Sequence, residues 1–130
     1  MNSRILCLMR KIHIVSILTV FLAILVGCAA IPDDYRRDFL PDPDAGYRVL
    51  DEHPTGFDLE VYYFKRGVLL KREKLIEDAK ATYVQIAIWL SSRIGRTPKN
   101  ISKQSLDVKF RRTLVDGRHE VHVIGKVVYR

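Results

Sequence analysis

Four kinds of side chain here have the chemistry to act, and their spacing decides what they could do. His119-Glu120-Val121-His122 invites a metal reading. Histidines three apart share a face on a helix, but on a strand an odd separation points them to opposite faces. The zinc-protease helix motif also needs a different spacing. The pattern reads as polar residues near a hairpin tip, with no metal or cofactor expected. Ser91, Ser92, Ser102 and Ser105 lack the glycine-framed elbow of a nucleophilic serine. Asp58 and Glu60 alternate along a strand and read as its solvent face, not as a glycosidase pair. Enzymatic activity is not expected.

The fourth kind is basic. Lys65, Arg66, Lys71, Arg72 and Lys74 cluster where a strand turns into a helix, with Glu73 as the local offset. That is the wrong sign for a helix N-terminus, whose partial positive charge prefers acids. Unfavourable charge beside free amide donors is one way to build an anion site. Two plainer readings stand beside it: a solvated, snorkelling basic turn, or docking of upstream Asp33, Asp34, Asp42 or Asp44. A second basic region comes from Lys109, Arg111 and Arg118. It lacks the regular aromatic interleaving of nucleic-acid platforms, so nucleic acid is not an expected partner.

The elements that must hold these groups follow from periodicity. Phe57 to Phe64 alternates as a strand, with Phe57, Leu59, Val61 and Tyr63 on one face. Val68 to Ile94 reads as one helix with an apolar stripe of Ile76, Ala79, Tyr83, Ile86, Ala87, Leu90 and Ile94. Gly95 stands where a left-handed cap belongs, and Pro98 follows. Val84, Ile88 and Trp89 lie off that stripe, so tether aromatics, another subunit or a partner protein should cover them. Ser105 to Val115 and Arg118 to Tyr129 form a hairpin around Asp116-Gly117. A two-residue turn there sets Phe110 against Val123, Val108 against Gly125 and Asp107 against Lys126, with Arg112 inward opposite Val121. The expected fold is α+β: a two-layer βαββ sandwich, one long helix on a three- or four-stranded sheet.

Upstream of residue 57 the composition changes. Residues 28–56 hold seven acids against three arginines, whereas residues 57–130 carry a net charge of +8. Pro32, Pro41 and Pro43 favour an extended, semi-rigid spacer with a reach of about 90 Å. Tyr35, Phe39, Tyr47, Val49 and Leu50 are unusual in a pure linker. Part of it is therefore expected to dock, with Tyr47 to Leu50 as a short edge strand.

The start of the chain gives an address. Arg4, Arg10 and Lys11 precede an almost wholly apolar run, Ile12 to Val26, which ends in Leu25-Val26-Gly27-Cys28. The layout is that of a secretory signal, and its last four residues resemble the lipobox of bacterial lipoproteins. The resemblance implies cleavage after residue 27, lipid on Cys28 as the membrane anchor, and export. Ala29 in place of Asp favours the outer membrane, facing the periplasm, if the organism has one. The alternative is an uncut anchor, although the run is short of the ~20 residues a span needs. The expected domains are thus 1–27 signal, 28–56 lipidated Cys and acidic tether, and 57–130 basic domain. With Cys7 removed and Cys28 lipidated, the exported part has no disulfide. The expected partners are the membrane and an envelope protein or second copy. An anionic lipid or polysaccharide at the basic turn is the alternative.

Overall fold

The computed structural model describes residues 31–113 and 117–130. The signal residues, Cys28 and Asp116 lie outside them. Four strands form one antiparallel sheet: β1 (Ala45–His53), β2 (Gly56–Arg66), β3 (Asp107–Thr113) and β4 (Arg118–Val128), in the order β1-β2-β4-β3. One helix, α1 (Arg72–Arg93), crosses the two central strands. The fold is the expected α+β layer pair. No helix among the described residues is long and apolar enough to cross a membrane.

The inward face of β2 carries Phe57, Leu59, Val61 and Tyr63, all buried, as its alternation predicts. Val121, Val123 and Val127 of β4 join them, and α1 supplies Leu75, Ala79, Tyr83, Ile86 and Ala87. Tyr83 fits because Gly125 of β4 has no side chain: a Cβ there would come within 2.8 Å of the Tyr83 Oη. The helix ends in the anticipated cap. Gly95 has φ +69°, and the Arg96 N–H reaches the Ser91 carbonyl at 2.9 Å, which satisfies carbonyls of the last turn.

Three sequence expectations change here. The helix begins at Arg72, not Val68, so Val68 and Leu69 project into solvent. Leu75 is its first side chain to reach the core, and Ile94 stays largely exposed at the other end. The β3–β4 register differs by two residues. Phe110 faces Val121, Val108 faces Val123, Asp107 faces Ile124 and Arg112 faces His119, so four residues, 114–117, connect the strands. A shift of two keeps every side chain on its face; it also sets Arg111 opposite Glu120, a favourable charge pairing that the tighter turn forgoes. Finally, the segment read as a spacer holds β1, nine residues long with a bulge at Leu50, and a strap that packs on the sheet. Its aromatics explain this: Tyr47 is fully buried between sheet and helix, beside Phe39.

Candidate functional site

The outward face of the sheet is not the solvent face that alternation suggested. Ile31 and Tyr35 lie across it, packed on Tyr62 with Phe64 beside them. Paired backbone bonds between Arg36 and Tyr47, at 2.7 and 3.0 Å, fix the strap to β1. Beneath it Glu60 is 5% exposed. Its carboxylate accepts from Arg48 Nε at 2.5 Å and lies 3.3 Å from His122 Nδ1. Burial alone would raise the Glu60 carboxyl, but hydrogen bonds from Arg48, His122 and Tyr35 hold it below the usual carboxylate range. Arg48 also reaches Asp34 at 2.6 Å. Burial, followed by a hydrogen bond to Glu60, pushes the Tyr35 hydroxyl up to about 12. Tyr62 is raised to about 12 by burial and by Glu120, while its oxygen accepts from Arg118. Every polar group in this set has its partner within the domain, so the arrangement is structural.

The basic turn divides. Lys65 is ion-paired with Asp44, as tether docking would have it, and lies 5.7 Å from the Tyr63 ring centre. Lys74 pairs with Asp78 at 2.7 Å on the first turn of α1. Arg72 stacks over Phe110, 5.1 Å from the ring centre. Arg66 and Lys71 have no ion pair among the described residues. Asp42 binds the Thr82 hydroxyl and Asp34 binds Arg48, so of the four acids proposed as counter-charges Asp44 alone meets the cluster. Between the two unpaired cations stand Val68 at 85% exposure, Leu69 at 95% and Leu70 at 37%. This triplet escaped the sequence reading because it was absorbed into the helix. Phase gave only a partial signal: Leu69 falls off the face of Leu75 and Ala79, whereas Val68, seven residues before Leu75, stays in phase with it.

The off-stripe residues of α1 also divide. Trp89 is covered by the segment before β1, with the Phe39 and Tyr47 ring centres 5.4 and 5.8 Å away, and Arg93 caps its face at 4.8 Å. Val84 and Ile88 instead line a shallow groove of about 280 Å³ with Pro98, Ile101 and Arg130. Ile88 is half exposed.

His119 and His122 do face opposite ways. His119 is buried on the helix side, where Nε2 lies 3.1 Å from the Gly67 carbonyl. The serine hydroxyls bond locally: Ser91 to the Ala87 carbonyl, Ser92 to that of Trp89, Ser105 to that of Ser102, and Ser102 to Gln104. Among the described residues one trio of metal-capable groups converges. Asp51 and Asp58 face each other across β1 and β2, and His53 places a ring nitrogen 3.8 Å from each carboxylate. His53 and Asp51 are well exposed, and exposed acidic groups of this kind are common without a metal. No protein-family model, curated protein or solved structure matches the chain.

Proposed function

We propose that this chain is a lipid-anchored cell-envelope protein with a structural or accessory role. Cys28 is its anchor and α1 its partner-binding face. The Leu25-Val26-Gly27-Cys28 sequence, placed after a basic start and an apolar run, carries the reading. The groove at Val84 and Ile88 supports a protein partner, because it leaves apolar surface uncovered on an otherwise filled helix. Trp89, grouped with those two by sequence, leaves the contact surface because Phe39 and Tyr47 occupy it. Glu60, Arg48, Asp34 and the serine hydroxyls are held in pairs within the domain, which favours binding over catalysis as the proposed role.

Crosslinking in cells with mass spectrometry tests this, using Cys28→Ser as the mislocalised control. The expected result is a discrete envelope protein crosslinked through residues flanking Val84 and Ile88, and lost in the control. Unchanged membrane retention of Cys28→Ser, or absence of any partner at that face, overturns the respective half of the reading. The second reading, an anion-binding module, draws on Arg66 and Lys71, whose charges have no acid partner among the described residues.

A further inference from the structure

We infer that the β2–α1 loop, residues 66–71, is a membrane-docking loop that seats Val68 and Leu69 in the interface of an anionic bilayer. The inference rests on the lipid-anchor reading and adds which end of the domain meets the membrane, and through which residues.

Three observations converge on one end of the sheet. First, Leu69 is the most exposed large apolar side chain among the described residues, and its neighbour Val68 equals Leu40 at 85% exposure. Leu70, 37% exposed, follows and folds back toward Gly67. Isolated exposed apolar residues are ordinary, but a contiguous run at a loop apex marks an interaction surface. Second, the run is bracketed by Arg66 and Lys71, which have no acid partner among the described residues, with Arg72 next in line. Apolar residues flanked by cations match a bilayer interface, where headgroup phosphates lie above acyl chains. A protein groove would instead offer acids or carbonyls to one side of the loop.

Third, the strap fixes where the anchor leaves the fold. Ile31 is buried against Tyr62, with Phe64 packed on the same cluster, two residues before the loop's Arg66. Only Ala29 and Ala30 separate Ile31 from Cys28 in the sequence, so the chain between the proposed anchor and the first packed residue is at most about 11 Å long. A spacer with a reach of about 90 Å would leave the domain free to tumble; a link this short holds it against the bilayer. The β3–β4 tip is at this end too, since the Gly67 N–H donates to the Gly117 carbonyl at 3.1 Å. The strap's first packed residue, the apolar apex and the unpaired cations thus lie toward one end of the sheet.

The test uses the full chain, isolated from membranes of the expressing cell and reconstituted into vesicles of equal parts phosphatidylglycerol and phosphatidylcholine. Leu69→Cys and Lys103→Cys each carry an environment-sensitive thiol label. Leu69 is almost wholly exposed, so its replacement removes no core contact. Lys103 lies before the first residue of β3, at the far end of that strand from the loop. Intact mass first reads the anchor: one label per chain if Cys7 has left and Cys28 is lipidated, more if that reading fails. Nitroxide-bearing lipid then reads the loop. The expected result is strong quenching at position 69 and little at 103. Neutralising Arg66 and Lys71 together should weaken docking about 25-fold, about fivefold per charge. Equal exposure of both labels, with one label per chain, overturns the docking loop while leaving the anchor intact. Equal quenching of 69 in pure phosphatidylcholine overturns the role of the cations. More than one label per chain overturns the anchor reading, and the 69-to-103 contrast then judges the loop by itself.

Discussion

The two faces of the sheet are built on opposite principles. The inward face is mainly apolar, from Phe57 to Val127, with buried His119 on the Gly67 carbonyl and Thr82 on Asp42 as polar exceptions, and is closed by the helix. The outward face also buries Glu60 and Tyr62, yet covers them with a strap from well upstream in the chain, held by charges and tyrosine hydroxyls. The inward face is non-directional and tolerant in detail. Removing one member of the outward network instead leaves its neighbours desolvated without partners. Burial alone therefore does not tell how a face is held.

The contrast can be broken by mutation. Ile86→Ala should cost the most, about 2–5 kcal/mol, because it leaves a cavity under the helix. Urea denaturation measures it, and a loss below about 1 kcal/mol would mean that the helix side is not the main core. Gly125→Ala should follow at about 1–3 kcal/mol. Its Cβ would meet Leu106 Cδ2 at 2.5 Å and the Tyr83 Oη at 2.8 Å, and both belong to the filled side.

Glu60→Ala probes the other face and should cost about 1–3 kcal/mol, strongly dependent on pH. The folded state holds Glu60 below its ordinary value, so its contribution is present above the unfolded pKa. It is lost as pH falls through the lowered folded value. Glu60→Gln should flatten that part of the stability–pH curve, and an unchanged curve would remove Glu60 from the network. Tyr83→Phe should be the smallest effect and opposite in sign, from neutral to about 1 kcal/mol stabilising. The Tyr83 hydroxyl is buried with no hydrogen-bond partner among the described residues, and phenylalanine keeps the ring. Tyr62→Phe, whose hydroxyl accepts from Arg118, should instead destabilise, and thermal melts of the pair sharpen the comparison of faces.

Legibility followed the same division. The inward face could be read from alternation in Phe57–Tyr63 and from three- and four-residue spacing in Ala79–Ala87, because burial on one side imposes a period. Gly95 could be read because a positive φ restricts residue type. The β3–β4 register was ambiguous by two residues, since period two cannot distinguish shifts of that size. The strap was hidden for a different reason. Asp, Pro and Arg dominate it by composition, and the residues that dock, Ile31, Tyr35 and Phe39, are four apart yet belong to no helix that this spacing could announce. For the basic cluster, the sequence could place Lys65 and Lys74 near each other but not show that Asp44 and Asp78 had already claimed them.

The outermost strand, β3, bears on crowding. It ends the sheet and presents Lys109, Arg111 and Arg112 along its exposed residues, three like charges within four positions. An open strand is where encounters between copies turn into edge-to-edge stacking. Two β3 edges brought together would set cation against cation in most registers that overlap these residues. The free edge therefore disfavours self-association through that strand, and an extended acidic segment is the sort of chain it would admit.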